Sequence, residues 1–438
     1  MYKVGLYEKE ITPLVGCSIR GYYNLRQVSD VKDKTYVKAV SISRDENTVI
    51  FIAIDGACFN NETYDAVRGR ASALTGIGMD NIMVAPTHSH TGGPSYVGQF
   101  EGADDELDAT YLKWLENAAA DVAYLAFCRM EEATVSLTTC EVKGISYVRN
   151  YLLKSGIVRT NPGRLNPEIV EPFGEPDYTV PVLLFKSKSG ESLGMMYSFG
   201  CHQDCVDGTE ISGDYSSIVA KRMKEEFGYE FVSIYFSGTA GNVNHFNVKT
   251  EKDAPDHYVM MGNTVADCII KALPNAKEID GEIAVLTDKK IYETRVPDLS
   301  EVEKSRIEMN KVEIPYGVKL DASAPVELFN ALTARSAYRF ATTAKKYSEI
   351  YLQVFKIADV NIFAFAGEVF TQFGRRIKEE FPDKTCFFIT LANQATFYVP
   401  PRECYLPHLY ESKYASAKLN PEDSENLIAS YIELAKRL

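Results

Sequence analysis

Short apolar runs alternate with amphipathic stretches along most of the chain. Residues 37–43, 48–54 and 81–85 have the apolar, β-branched composition of buried or half-buried strands. Residues 61–74, between the second and third of these runs, carry apolar side chains at helical spacing. A strand, a helix and a strand in succession are typical of sheets layered with helices. We therefore predict an α/β fold in which mixed β-sheets are layered with helices.

The rest of the chain continues this pattern. Hydrophobic spacing predicts helices at residues 108–130, 214–227, 255–273, 299–310, 326–348, 369–380 and 421–438. It predicts strands at residues 133–140, 179–185, 192–199, 231–236, 282–286, 351–358, 361–366 and 386–391. Residues 144–177, rich in Pro, Gly and Asn, show no clear element, so we expect a functional loop or a disordered segment there. Without repeats or linkers, we expect one compact domain over residues 1–438.

Composition narrows the class of function. The 438 residues are 45% hydrophobic and 24% charged, which is ordinary for a globular protein. The net charge is −13 and basic residues do not cluster, so we exclude nucleic acid and anionic membrane surfaces as partners. We find neither a run of about 20 apolar residues nor the apolar core of a signal peptide, and we expect a cytoplasmic protein without stable membrane insertion. The nine cysteines lack CxxC spacing and are expected to be reduced.

Two histidines follow the predicted strand at residues 81–85. They are His88 and His90, and Gly92 and Gly93 come directly after them. Residues i and i+2 of a strand point to the same face, so both rings can face one cleft, and the glycines let the backbone pass close to a bound group. Taken alone, the pair is equally explained as polar residues that end a loop.

Other predicted strands also end on a residue that can bind a metal or transfer a proton. Asp55, His202 and Glu368 each follow an apolar run, and Tyr398 lies in the loop after another. Zn²⁺ takes nitrogen and oxygen ligands in tetrahedral geometry, and a catalytic site keeps one position for water, whose pKa falls to about 7. Spacing alone does not bring these residues together, because a buried histidine or an acid at a helix start explains each of them singly.

A set of short motifs in a fixed order links these residues, which spacing alone does not. The motifs are Glu10-Ile11-Thr12-Pro13, Thr87-His88-Ser89-His90-Thr91-Gly92-Gly93, Gly200-Cys201-His202, Ile211-Ser212-Gly213-Asp214-Tyr215, Ala240-Gly241-Asn242, Ala366-Gly367-Glu368, and Tyr398-Val399-Pro400 followed by Tyr410-Glu411. Together they resemble the catalytic domain of the neutral/alkaline, non-lysosomal ceramidase family and cover nearly the whole chain. The resemblance implies a single catalytic domain of the neutral ceramidase type, without the immunoglobulin-like domain that follows it in ceramidases.

The resemblance also implies a zinc site. The ligands that it carries over to this sequence are His88, His202, Glu368 and Tyr398. It places His90 near the metal-bound water. It further implies that Tyr410, twelve residues after Tyr398, and Arg149, in the Tyr147-Val148-Arg149-Asn150 segment, act in catalysis.

One departure from the family bears on the chemistry. The position of the family's proposed serine falls on Gly238, and Ser237 stands one residue earlier, where a strand residue points the other way. We therefore assign no nucleophilic serine, and zinc-activated water is the simpler chemistry. We expect a zinc-dependent hydrolase that cleaves the amide bond of a small N-acyl compound. Two alternatives stay open: a hydrolase of a small polar ester, lactone or acylated sugar or amino acid, and a non-catalytic family member that binds a ligand through its metal.

Overall fold

Eight α-helices lie against β-sheets of mixed direction in the computed structural model, which describes residues 1–313 and 326–438. The helices are α1 Asn61–Thr75, α2 Asp105–Cys128, α3 Asp214–Phe227, α4 His257–Ala272, α5 Leu299–Met309, α6 Val326–Thr343, α7 Thr371–Glu380 and α8 Pro421–Lys436. The strands are β1 Tyr2–Glu10, β2 Asp30–Val31, β3 Tyr36–Arg44, β4 Asn47–Ile54, β5 Ile82–Pro86, β6 Glu131–Glu141, β7 Tyr147–Val148, β8 Asn150–Leu153, β9 Val158–Thr160, β10 Ile169–Pro172, β11 Thr179–Ser187, β12 Ser192–Phe199, β13 Glu210–Ile211, β14 Val232–Ser237, β15 Val243–Asn244, β16 Lys277–Ile279, β17 Ile283–Glu293, β18 Tyr347–Ile357, β19 Val360–Ala364, β20 Glu368–Val369, β21 Thr385–Ile389 and β22 Tyr398–Val399. The predicted fold class is confirmed.

Two sheets form the centre of the molecule. The larger has nine strands, in the order β14-β12-β11-β6-β1-β3-β4-β5, with β16 paired to β6. Its outer pairs, β12 with β14 and β4 with β5, are parallel, and the pairs between them are antiparallel. The second sheet has the order β17-β18-β19-β21 and is also mixed. The two sheets pack face to face around one apolar core that contains Phe51, Phe236, Phe355 and Ile389.

Strand β4 shows why its sequence is a nearly continuous apolar run. Phe51 and Ala53 point into the core between the sheets, whereas Ile50 and Ile52 point to the opposite face, which α1 and α2 cover. Because successive side chains of a strand alternate between faces, burial of both faces requires apolar residues at every position. Helices α3 and α4 cover the β12–β14 end of the same face, and α7 and α8 cover the outer face of the second sheet.

A buried asparagine joins the last strand of the large sheet to the second sheet. Asn393 accepts a hydrogen bond from the backbone N–H of Val84 in β5 at 3.0 Å and donates its own backbone N–H to the Val84 carbonyl at 2.8 Å. Its amide nitrogen donates to Gln353 of β18 at 2.7 Å, and Gln353 donates to the carbonyl of Asp80 at 2.7 Å. These bonds fix the start of the segment that contains His88.

Several predicted boundaries are wrong for identifiable reasons. Residues 144–177, expected to lack regular structure, contain β7 to β10, because their short strands pair with one another and with β15. The strand predicted at residues 282–286 continues to Glu293, because β17 pairs with β18 along its whole length. Helix α6 ends at Thr343 rather than at residue 348, since β18 begins at Tyr347.

None of the described helices combines the length and the apolar composition that crossing a bilayer requires. The expectation of a single domain over residues 1–438 stays a prediction.

Candidate metal and active site

The His88–His90 segment leaves strand β5 through a bend. Strand β5 ends at Pro86, and His88 has a left-handed backbone with φ of 69°. Ser89 then pairs with Gln203 in an isolated parallel bridge. The rings of His88 and His90 lie 5.0 Å apart, centroid to centroid, and are nearly perpendicular. Both rings therefore face one cavity, as their spacing predicts, but the bend rather than an extended strand brings them together.

The ring of His202, which follows β12, completes a group of three histidines. Its centroid lies 4.7 Å from that of His88 and 5.8 Å from that of His90. His202 Nδ1 lies 2.9 Å from the carbonyl of Val243, and His88 Nδ1 lies 2.6 Å from the carbonyl of Ala57. A proton on Nδ1 satisfies each carbonyl and leaves Nε2 with its lone pair directed into the site.

Two short parallel strands place Glu368 beside Tyr398. These residues are direct partners in the β20–β22 pair, although 30 positions separate them in sequence. Glu368 Oε2 lies 3.4 Å from His88 Nε2 and 3.3 Å from His202 Nε2. A Cβ atom on Gly241 would lie 2.6 Å from the carbonyl oxygen of Glu368, so the chain fits around this turn only with glycine at that position.

The geometry of these atoms fits a divalent cation. Buried polar atoms are normally hydrogen-bonded, yet His88 Nε2 and Glu368 Oε2 have no hydrogen-bond partner. Zn²⁺ binds imidazole nitrogen and carboxylate oxygen at about 2.0–2.1 Å, so two ligand atoms of a tetrahedral site lie about 3.3–3.4 Å apart. The two separations between Glu368 and the histidines have these values. The ligand nitrogens of His88, His90 and His202 also lie within 4.8 Å of one another.

A buried ion pair stands beside this centre. Arg149 donates from Nε to Glu411 Oε1 at 2.6 Å and from Nη2 to the Gly241 carbonyl at 2.7 Å. Its guanidinium carbon lies 5.3 Å from the ring centre of Tyr398 and 5.8 Å from that of Tyr410. Both tyrosines and the arginine are therefore held in mutual contact at the wall of the site.

Burial and neighbouring charges set the protonation states of the candidate ligands. Burial alone would raise the pKa of Glu368, but the imidazoles of His88 and His202 outweigh it and hold that pKa well below its usual value. Burial lowers the pKa of His202, aided by the charge of Arg149, and burial also holds the pKa of His90 well below its usual value. The ionised carboxylate of Glu368 and the neutral imidazole of His202 are in the protonation states that binding of a divalent cation requires.

The pKa of His88 shifts in the opposite direction. Burial lowers it, but the carboxylate of Glu368 outweighs burial and raises it. A proton on His88 Nε2 therefore competes with a cation for the same position.

The predicted site residues share one cavity of about 580 Å³. Its lining includes all seven of them: His88, His90, Arg149, His202, Glu368, Tyr398 and Tyr410. Asp55 lies outside the lining, and it accepts a hydrogen bond from the backbone N–H of Tyr36 at 2.7 Å. Ser237 and Gly238 also lie outside it. A Cβ atom on Gly238 would lie 3.1 Å from the backbone nitrogen of Gly200, so a serine there would require the neighbouring backbone to shift by a few tenths of an ångström.

Comparisons with known proteins find matches by structure but none by sequence. No protein-family model and no curated protein matches the sequence. Among solved structures, neutral ceramidase from Pseudomonas aeruginosa superimposes with a TM-score of 0.73 at 18% identity, over 100% of this chain and 75% of that chain. A structure titled ceramidase complexed with C2 gives a TM-score of 0.74 at 18% identity, over 100% and 76% of the two chains. The chain has the neutral ceramidase fold.

Within the neutral ceramidase fold, two acids without a role predicted from the sequence lie beside the candidate site. Glu411 accepts hydrogen bonds from Arg149 and from Thr160, the latter at 2.7 Å. Asp204 Oδ1 lies 3.6 Å from His90 Nδ1. The position of Asp204, two residues after His202 at the same strand end, is a sequence signal for it. Glu411 stands in the Tyr410-Glu411 motif, but the motif does not indicate its contact with Arg149, which is 262 residues away.

A second group of possible ligands borders the same cavity. Side-chain atoms of Cys205, His245 and His257 lie within 4.8 Å of one another, and His245 lines the cavity wall. His245 Nε2 lies 3.0 Å from the carbonyl of Asp204. The sequence analysis assigned no role to these residues.

Proposed function

We propose that the protein is a zinc-dependent hydrolase that cleaves the amide bond of a small N-acyl compound. The observation that carries this proposal is the position of Glu368 Oε2, 3.4 Å from His88 Nε2 and 3.3 Å from His202 Nε2, because both separations match those of a tetrahedral zinc site. Tyr398, the backbone partner of Glu368, would complete the ligand set. The structural neighbours are ceramidases, which is consistent with amide hydrolysis. When bound, zinc supplies Lewis acidity and lowers the pKa of a coordinated water.

The surrounding side chains have distinct roles in this proposal. His90 is neutral at neutral pH because burial lowers its pKa, so it can accept a proton from the attacking water. Asp204, 3.6 Å from His90 Nδ1, would stabilise the imidazolium that results. Burial raises the pKa of Tyr410, so its phenol stays protonated and can donate a hydrogen bond to the oxyanion that develops on the carbonyl. Arg149 supplies a fixed positive charge beside the same position.

The character of the cavity wall favours a second candidate, a hydrolase of a small polar ester, lactone or acylated amino acid. Besides the seven site residues, the wall contains charged and amide side chains, among them Arg20, Gln99, Asn161, Asn244 and Asp253. A wall of this kind can bind the polar groups of a small substrate. Rates on N-acyl substrates with short and long acyl chains, compared with rates on matched esters and lactones, would separate the candidates.

The decisive experiment is metal analysis combined with an activity assay. We expect protein purified without added metal to contain about one zinc per chain and to release amine from N-acyl amides, and we expect a chelator to abolish hydrolysis and zinc to restore it. His88→Ala and His202→Ala should lose both zinc and activity. His408→Ala is the matched control, because His408 is exposed and lies outside the cavity lining.

Unchanged zinc content and hydrolysis in both histidine variants would refute the assignment. Bound metal without turnover on any amide, ester or lactone would instead favour a non-catalytic ligand-binding protein. A cytoplasmic location stays a prediction, which cell fractionation can test.

A further inference from the structure

Arg20 stands on the cavity wall next to the candidate catalytic residues. The next residue, Gly21, has φ of 137°, and a Cβ atom there would lie 2.7 Å from His90 Cβ. The backbone of Arg20 is therefore fixed against the His90 segment, and its N–H donates to the carbonyl of Gly93 at 3.1 Å. Its guanidinium carbon lies 5.7 Å from the ring centre of Tyr96, which also lines the cavity.

The neighbouring arginines bind carboxylates or backbone carbonyls, whereas Arg20 has neither kind of side-chain partner among the residues that the structure describes. Arg149 pairs with Glu411, and Arg164 pairs with Asp253. Arg26 donates to three backbone carbonyls, those of Gly208, Arg20 and His90. Over residues 1–313 and 326–438, the guanidinium of Arg20 makes no ion pair with a carboxylate; it hydrogen-bonds the side chain of Cys58 and lies near Tyr96 and Tyr410.

A guanidinium in this setting is a binding group for an anion. It presents five N–H donors in a planar fork that matches a carboxylate, and it stays charged at any physiological pH. Arg20 is only partly buried in the free protein, and a ligand that covers it would desolvate its charge, which is costly unless an anion compensates it. A ligand carboxylate in the cavity would supply that compensation through two parallel hydrogen bonds.

The remaining charges on the wall limit how negative this ligand can be. Three acids line the cavity, Asp204, Asp253 and Glu368, together with four cations, Arg20, Arg149, Arg339 and Lys413, so the wall carries one positive charge in excess. One carboxylate, bound by Arg20 with the hydroxyls of Tyr96 and Tyr410 nearby, fits this balance of charge.

We propose that Arg20 binds a carboxylate of the substrate and selects acylated amino acids over uncharged N-acyl compounds. This inference rests on the proposed amide hydrolysis. It assigns Arg20 to specificity, since the reacting carbonyl is held by the His90 and Tyr410 side of the cavity.

The test compares two substrates that differ only in charge. N-octanoylglycine and N-octanoylethanolamine share the acyl chain and the amide, and only the first carries a carboxylate. We expect the zinc-loaded wild-type protein to prefer N-octanoylglycine in kcat/KM. In Arg20→Gln the ratio of the two kcat/KM values should fall by about 30-fold or more, since removing one partner of a desolvated charge pair has effects of this size. For Arg20→Lys, which keeps the charge but loses the planar fork of donors, the ratio should lie between those of the wild type and Arg20→Gln.

Arg339→Gln is the matched control for net charge, because Arg339 lies on the exposed rim of the same cavity. We expect it to change the ratio by less than about threefold, since water and salt screen rim charges. Circular dichroism spectra that coincide with the wild type would show that each variant is folded. An equal loss on both substrates in Arg20→Gln, or no preference in the wild type, would overturn the inference.

A binding measurement separates failure of this inference from failure of the proposed function. The probe is the ketone isostere of N-octanoylglycine, in which a methylene replaces the amide nitrogen, and titration calorimetry gives its Kd. If the wild type hydrolyses neither substrate but binds the isostere at least about 30-fold more tightly than Arg20→Gln does, the carboxylate site stands and amide hydrolysis does not. Equal affinities in the two proteins would overturn the carboxylate site whatever the activity.

Discussion

The candidate site combines two parts of the chain: a histidine-bearing part with His88, Arg149 and His202, and a second part with Glu368, Tyr398 and Glu411. These two parts hold their site residues differently. In the part that carries the histidines, backbone carbonyls fix the rings, that of Ala57 for His88 and that of Val243 for His202. In the part that carries Glu368, the carboxylate oxygen Oε2 faces the two imidazoles and has no hydrogen bond of its own. The positions of the nitrogens therefore follow from the fold, whereas the position of the carboxylate depends on the charges opposite it.

Arg149 extends this contrast to the tyrosines. Its side chain comes from the histidine-bearing part, yet its shortest hydrogen bond is to Glu411 of the other part. Tyr398 and Tyr410 pack against the same guanidinium. The backbone therefore fixes the side chains of the histidine-bearing part, and charge interactions align the second part with them.

The strongest test of this contrast removes the charge of Glu368 and keeps its shape. We expect Glu368→Gln to lose zinc and to lower kcat/KM on N-acyl amides by about 10³-fold, because the metal contributes several kcal/mol and each 1.36 kcal/mol is a factor of ten. Zinc content by mass spectrometry is the measurement. His90→Gln is the control, and it should keep zinc although it loses activity. Full zinc occupancy in Glu368→Gln would show that the histidines suffice and that the contrast is wrong.

A second test concerns the ion pair that joins the two parts. Glu411→Gln leaves the buried guanidinium of Arg149 without its counter-charge, so we expect the free energy of unfolding to fall by about 3–5 kcal/mol. Urea denaturation followed by circular dichroism measures this change. Replacing both residues by apolar side chains of similar volume should restore most of the loss. A loss below about 1 kcal/mol in Glu411→Gln would mean that the pair does not hold the parts together.

The histidine-bearing part contains one buried acid that relies on backbone donors. Asp214 accepts hydrogen bonds from the N–H groups of Cys205, Val206 and Tyr215. Burial nonetheless raises its pKa from the ordinary value of 3.8 to about 6. Between these values the folded protein binds more protons than the unfolded chain. The stabilising contribution of this group is therefore present below pH 4 and is lost as the pH rises through 6.

We accordingly expect the difference in unfolding free energy between wild type and Asp214→Asn to depend on pH. From pH 4 to pH 7 it should shift in favour of the variant by up to about 3 kcal/mol, the equivalent of roughly two pKa units. Denaturation curves of both proteins at several pH values measure the shift. A constant difference would mean that backbone donors fully offset the burial of this charge.

The smallest of the four effects concerns the backbone beside His90. Gly21→Ala places a methyl group 2.7 Å from His90 Cβ, in a backbone conformation that favours glycine. We expect zinc to be retained and kcat to fall by up to about 10²-fold, because a displaced base is sensitive to shifts of about 1 Å. Gly69→Ala is the control, since nothing lies within 4 Å of its added methyl, and it should stabilise α1 by about 0.5–1 kcal/mol. Unchanged kcat in Gly21→Ala would remove His90 from the proposed mechanism.

Hydrophobic alternation predicts the long strands well and the short ones poorly. β12 was predicted to its exact bounds and β4 to within one residue, because burial of both faces leaves a continuous apolar run with polar ends. β20 and β22 have two residues each, so no period can be read from them. Their pairing is a property of the tertiary structure.

In the candidate site, too, the sequence predicts some features and the tertiary structure determines the others. The strand ends gave the residue types, and the motif order gave the set of seven, which line one cavity. Neither indicates the left-handed backbone of His88 or the contact between Arg149 and Glu411, because the first is set by the packing of the loop and the second by a chain separation of 262 residues.

Asn393 also protects the molecule against aggregation with other copies of itself. β5 is the last strand in the order of the large sheet, and exposed strands of this kind invite pairing with a strand of another molecule, which leads to aggregation. The side chain and backbone of Asn393 occupy both hydrogen-bonding groups of Val84, midway along β5. An intruding strand would have to displace Asn393 and leave Gln353 without its donor. The segment that delivers the two histidines is therefore closed to strand addition at its centre.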